Sequence, residues 1–220
     1  MPMPTKIVIN YYLQGATMPM PKTRLSAPAR QLEIVAAVLA LAAEHSPDAI
    51  TTQAIAQQIG LTQGAVFRHF PTKEAIWLAV MDWLEESLQS AIAAALTEVR
   101  DPIAGLQAMF NAHIGFITAH PAVPRLIFHE LQKPAAGAIK QRVCGLLERY
   151  RQRVTALLIA AKAQGQVDPA LDDSAAATLF LGMVQGLVMQ TLLAGDPHTL
   201  QPTASRLLPL YLRGIGVRQP

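Results

Sequence analysis

TTQAIAQQIGLTQGAVFRHFPTKE, residues 51–74, reads as two short helices joined by a tight turn, with a third helix starting behind them. Thr51 or Thr52 can cap the first helix, because a threonine hydroxyl accepts from an orphan N–H of the first turn. Ala54, Ile55, Ile59 and Leu61 give that helix an apolar side. Gly60 stands where the helix must stop and the chain must turn, and glycine takes positive φ at little steric cost. Thr62 then caps again, and Gln63 to Phe70 is expected as the second helix. Ala56, Gly60 and Val66 supply what a helix-turn-helix requires: a small residue at the crossing, a corner, and a plug between the helices.

The second helix is left with Thr62, Gln63, Gly64, Phe67 and Arg68 facing outward. Thr and Gln can hydrogen-bond base edges, and Arg can pair with guanine or phosphate. Gly64 would let the backbone lie close to DNA. A helix entering the major groove needs this kind of short polar front end. A solvated hairpin in another all-α protein also fits the pattern.

The next residues narrow the choice. The run FRHFPTKEAIWLAV, starting at Phe67, resembles the first-domain signature of the TetR/AcrR family of bacterial transcriptional regulators, and the match covers Arg30 to Val80. In that family the recognition helix ends in aromatic, aromatic or basic, His, Phe. A short Pro/Ser/Thr-Lys-Glu cap then opens a long helix. Phe67, Arg68, His69, Phe70, Pro71, Thr72, Lys73 and Glu74 occupy those positions here. The family often has Tyr in place of Phe67, with its hydroxyl on a phosphate; Phe cannot donate that bond, and Arg68 can supply a charged contact instead. The resemblance implies DNA contacts from Thr51, Thr52, Thr62, Gln63, Gly64, Phe67, Arg68, His69 and Lys73. Thr62, Gln63 and Arg68 should set sequence preference, and Thr52, His69 and Lys73 should hold the backbone.

The totals agree. Half the residues are hydrophobic, few are aromatic, and alternating β-branched runs are scarce, which suits packed helices. Residues 1–73 hold six basic residues (Lys6, Lys22, Arg24, Arg30, Arg68, Lys73) against three acidic ones (Glu33, Glu44, Asp48), which equals the net charge of +3 of the entire chain. The excess therefore sits where phosphate attraction needs it. Cys144 is the only cysteine, so no intrachain disulfide forms and a reducing cytoplasm is expected; the thiol should be a small buried hydrophobe.

Residues 1–28 are proline-rich and are expected to be a disordered arm, with Lys22 and Arg24 near phosphates or a minor groove. They lack the layout of a signal peptide. MPMPT at the start recurs as MPMPK at Met18, which offers a start at Met18 or Met20 as the alternative reading. Helix 1 should run from about Ala29 to His45, with Leu32, Val35, Ala36, Leu39, Ala42 and Ala43 as its stripe. A long helix from Lys73 to about Val99 follows, in which Trp77 and Trp83 are expected as packing anchors. Asp101-Pro102 opens a helix to about His120. Met109, His113, Phe116 and His120 share one of its faces, either as the lining of a ligand cavity or as a core face with two satisfied histidines. Phe128 and Met183 complete the candidate ligand set. The chain has no HExxH, no cysteine cluster and no carboxylate at ligand spacing on this helix, so no metal and no cofactor is expected. Residues 135–164 should form a helix whose Lys140, Arg142, Glu148, Arg149, Arg151 and Arg153 make a solvated face.

Ser174 to Gly195 carries no charged residue and is long enough to span a bilayer. Gln185, Gln190, Thr178 and Thr191 interrupt it, and aspartates rather than basic residues bracket it. A dimer-interface helix is expected instead, with Gly182 and Gly186 permitting close approach, and a last helix over 203–214 joining the same contact.

The fold expected is all-α: a three-helix DNA-binding head at 29–73 and a ligand-binding and dimerisation bundle at 74–220. The function expected is a homodimeric, cytoplasmic, non-enzymatic regulator of a palindromic operator, released by a small, mostly apolar inducer. The rivals are a catalytic bundle using His113 and His120 as acid/base groups, and a small-molecule-binding protein that no longer reads DNA.

Overall fold

A computed structural model describes residues 25–135 and 137–217. The expected arm and the last three residues lie outside them, apart from residues 25–28. Among the described residues every regular element is helical. In chain order they are α1 (Ala27–Glu44), a 3-10 turn (Pro47–Ala49), α2 (Thr52–Gln58), α3 (Gln63–Phe67), α4 (Lys73–Leu96), α5 (Pro102–Ala119), α6 (Val123–Gln132), α7 (Ala138–Ala163), α8 (Asp173–Ala194), a second 3-10 turn (Pro197–Thr199) and α9 (Leu200–Gly214).

The bounds differ from expectation at ends governed by proline or by caps. α1 starts early because Ser26 caps it and Pro28 fits its first turn. α3 stops three residues short of Phe70, since Pro71 has no N–H to carry the ladder on. The Val66 carbonyl there accepts from both His69 N–H (2.9 Å) and Phe70 N–H (3.1 Å).

The chain divides into two compact units. Among the described residues the first holds those up to 84 together with 120–143: the start of α4 and all of α6 group with α1, α2 and α3. α1 shows why. Ile34, Ala36, Ala37 and Val38 are fully buried, which one amphipathic stripe does not explain. α2 packs on α1, and α6 packs on it as well. Arg125 of α6 donates to the carbonyl of Ala43 at 3.0 Å, satisfying an orphan acceptor at the α1 C-terminus. Ala43, expected in the stripe, is exposed.

The second unit holds residues 85–119 and those from 144 onward. Phe110 and Phe180 meet edge to face at 5.8 Å, and Phe180 meets Tyr211 in the same manner at 5.3 Å. Such pairs add about 0.5–1.5 kcal/mol each beyond their buried area. The Tyr211 hydroxyl, which the core would otherwise strand, donates to the Ala176 carbonyl at 3.0 Å. Asp172 caps α8 by accepting from the N–H groups of Ser174 and Ala175, both at 3.0 Å. Cys144 is exposed, against expectation; Val143 and Leu146 carry the buried side of α7.

α5 meets α7 at Gly105, where an added Cβ would stand 3.0 Å from Leu157 Cδ2. Gly105→Val therefore overpacks this crossing. It should lower stability by about 1–3 kcal/mol, read as a shifted urea midpoint with an unchanged slope.

Candidate functional site

The corner between α2 and α3 is built from three hydrogen bonds and one backbone angle. Gly60 has φ +65°. Its N–H donates to the Gln57 carbonyl (3.2 Å), and the Leu61 N–H reaches back to the Ala56 carbonyl (2.9 Å). This pair of bonds closes a helix with a left-handed residue after the cap. Thr62 then opens α3 by accepting from the Ala65 N–H at 3.2 Å. Thr51 does the same for α2, accepting from Ala54 N–H at 3.0 Å, which settles the alternative between Thr51 and Thr52. Val66, Ile55 and Ala56 are buried between the helices.

This geometry leaves the amino end and outer side of α3 free. Thr62, Gln63, Gly64 and Arg68 are exposed, and Phe67 is 40% exposed, unusual for a phenylalanine in a packed unit. Nothing approaches a Cβ placed on Gly64 within 4 Å, so its face is open. Gln63 is positioned by a partner the sequence did not reveal: its Nε2 donates to the Thr52 hydroxyl at 2.6 Å. Thr52 itself is only 8% exposed. Gln31 of α1 donates to the His69 carbonyl at 3.3 Å and ties down the end of α3. Lys73 is exposed in the first turn of α4, which Thr72 caps through the Ala75 N–H at 3.0 Å.

The six candidate ligand residues divide between the two units. His120 and Phe128 belong to the first unit, where the His120 ring meets Trp83 edge-on at 5.2 Å. Met109, His113, Phe116 and Met183 belong to the second. Met109 and Phe116 are buried, and the His113 ring lies 4.9 Å from that of Tyr150. His113 keeps an exposed edge while its Nδ1 is sealed from solvent, and burial pushes its pKa down to about 4. Burial also lowers that of His120. Histidines 113 and 120, the acid/base pair of the catalytic rival, thus sit in separate units. The first unit also contains a cleft of about 570 Å3, floored by Met81 and Leu126 and edged by Trp77, His129 and Lys73, which the sequence did not disclose.

α8 leaves one side bare. Leu179, Gly182, Gly186, Met189 and Leu193 follow each other at alternating steps of three and four, and all are exposed. Leu193 reaches 73% and Leu179 59%. The opposite side, with Phe180, Val184, Leu187 and Val188, is buried in the second unit. By length and composition α8 could cross a membrane; a half-buried helix in a helical bundle passes the same test.

Residues 34–80 match the family of bacterial regulatory proteins named tetR, and residues 132–207 match the tetracyclin repressor-like C-terminal domain. The chain belongs to the tetR family. It is 26% identical over 160 residues to the nucleoid occlusion factor SlmA of Marinomonas sp. (strain MWYL1), covering 72% of this chain and 81% of that protein. Among solved structures it resembles the fatty acid degradation regulator FadR from Bacillus halodurans, with TM-score 0.77, 19% identity, and coverage of 90% of this chain and 100% of that one. It is similar too to FadR from Bacillus subtilis in complex with stearoyl-CoA, with TM-score 0.72, 19% identity, and coverage of 84% and 98%. Family and fold are those of DNA-binding transcriptional regulators, and the helix-turn-helix lies inside the matched first segment.

In this tetR-family body, His113 links stability to pH. Its folded pKa lies below its unfolded value of 6.5, so the unfolded chain binds the proton first as pH falls. Stability should be fully present above about pH 6.5 and drain away towards pH 4, by about 3 kcal/mol at the acid end. His113→Leu should flatten that part of a plot of melting temperature against pH.

Proposed function

We propose that the chain acts as a cytoplasmic homodimer that reads a palindromic operator with α3 and is released from it by a small, mostly apolar effector. The observation that carries the reading is the exposed front of α3, where Gln63, Gly64 and Arg68 stand clear of the protein on a corner fixed at Gly60. An N-terminal helical end with polar side chains is what direct readout in the major groove needs. Thr62, Gln63 and Arg68 take the base edges. Thr51, Phe67, His69 and Lys73 follow the backbone. Thr52, being buried, acts through Gln63, whose amide it holds.

The bare seam on α8 supports pairing of two chains. Apolar residues at steps of three and four, with two glycines in the middle, fit a helix packed against its own copy. Leu210 on α9 is also exposed and apolar, as the expected contact over 203–214 requires. Two heads about 34–36 Å apart would then meet successive major grooves. The effector site is assigned to the second unit, with Met109, His113, Phe116 and Met183. FadR from Bacillus subtilis is described in complex with stearoyl-CoA, whose stearoyl chain is apolar, and this favours an effector with an apolar part here. α4 and α7 each contribute to both units, so occupancy of one can bias the other. DNA and effector must then weaken each other by the same factor.

Binding-site selection followed by electrophoretic shift tests the reading; recovery of no preferred sequence would overturn it. Lys73→Ala should weaken binding to all sequences alike. It should also make the plot of log affinity against log salt shallower by about two in the dimer, one phosphate contact per head. Gln63→Ala should relax preference at one base position of each half-site. An unchanged consensus would remove Gln63 from the reading set.

A further inference from the structure

We propose that His113, Tyr150 and Arg153 form the polar end of the effector site in the second unit, and that the effector is an organic acid, an apolar skeleton ending in a carboxylate. This rests on the effector-responsive reading above and names the ligand class. Three polar atoms carry it. The Tyr150 hydroxyl, His113 Nδ1 and Arg153 Nη1 are sealed from solvent and have no hydrogen-bond partner among the described residues. Tyr150 is 2% exposed, and its ring lies 4.9 Å from that of His113. Buried polar atoms of a folded protein nearly always have a partner, and a bound molecule can supply it here.

The guanidinium decides the chemistry. The other basic residues of α7 are all occupied. Lys140 donates to the Lys133 carbonyl, Arg142 pairs with Asp82, Arg149 with Glu85, Arg151 with Glu148 and Lys162 with Asp173. Arg153 shows no ion pair. It sits three residues from Tyr150, hence beside it on the helix surface. Gly105 opposes Leu157 and His113 opposes Tyr150, so α5 and α7 run antiparallel and Arg153 stands level with Met109. Met109 and Phe116, one turn to either side of His113, are buried and apolar. A carboxylate suits this set. The planar fork of Arg takes its two oxygens, and the tyrosine O–H donates to one of them. The His113 imidazole, neutral because of its burial, donates or accepts according to its tautomer. An alcohol or an ester would satisfy Tyr150 and leave the guanidinium without a counter-charge.

The test uses the full chain and matched acid, alcohol and methyl ester on decanoyl, palmitoyl and naphthoyl skeletons. Binding is read by thermal shift and titration, and release by anisotropy of a labelled DNA obtained by binding-site selection. On at least one skeleton the acid should bind about tenfold or more tightly than its alcohol and ester, the effect of one charge-assisted hydrogen bond. Arg153→Met should erase that preference while leaving the helical spectrum intact, and Arg153→Lys should restore part of it. Tyr150→Phe should weaken the acid without reversing the preference. Absence of binding by every acid, equal binding of acid and ester, or a preference that survives Arg153→Met would overturn the proposal. If an ester or alcohol releases DNA, the acid assignment falls while the regulator reading stands. If the acid binds through Arg153 yet never changes DNA affinity, the site stands and the regulator reading falls.

Discussion

The structure depends on a backbone angle. At Gly60 the chain turns through a left-handed residue, and two hydrogen bonds close α2 around it. A side chain there would cost about 1–2 kcal/mol in that conformation, and any other angle would aim α3 elsewhere. Everything required of α3 follows from its aim. Val66 is carried inward as the plug, and Gln63, Gly64 and Arg68 are carried outward. The capping threonines at 51 and 62 fix the two helix starts on either side of the corner, so neither short helix depends on its own length for stability. Helices of seven and five residues would be marginal in isolation.

That head was legible because its determinants are local. Caps, corner and plug are separated by a few residues, and each acts through backbone geometry that a sequence displays. The rest was legible in proportion to its locality. The helices of the body could be counted from proline, glycine and aspartate punctuation, but not assigned to units. α6 packs on α1 through contacts such as Arg125 to Ala43, eighty-two residues apart, and no periodicity announces that distance. For the same reason His120 and His113, one face of one helix by spacing, fall into separate units.

The candidate site shows the same division. The outward residues of α3 could be named from spacing, yet the Thr52–Gln63 bond that holds one of them could not, because it spans the corner. In the body, the stripe at Met109, His113 and Phe116 was visible. Its partners on α7 were not. Arg153 looked like one more charge on a solvated face, and only the occupied state of its neighbours sets it apart. The signal for Tyr150 was equally hidden, since an aromatic at helical spacing among Leu146, Val154 and Leu158 reads as ordinary core.

A buried polar group without a protein partner bears on the energetics of coupling. A ligand that supplies the missing partner relieves the cost of burying such a group in proportion to how well it fits. Relief alone changes nothing at the DNA unless the two conformations of the body differ in how well they present those groups, because a ligand with equal affinity for both shifts no equilibrium. The elements that would have to differ are those carrying the groups. Tyr150 and Arg153 lie on α7, and α7 also supplies residues 138–143 to the unit that contains α3. A displacement of α7 of the size needed to pair a guanidinium would therefore be felt by both units along one continuous helix. On the proposed reading, α7 and α4 are the elements whose two states the effector would have to distinguish.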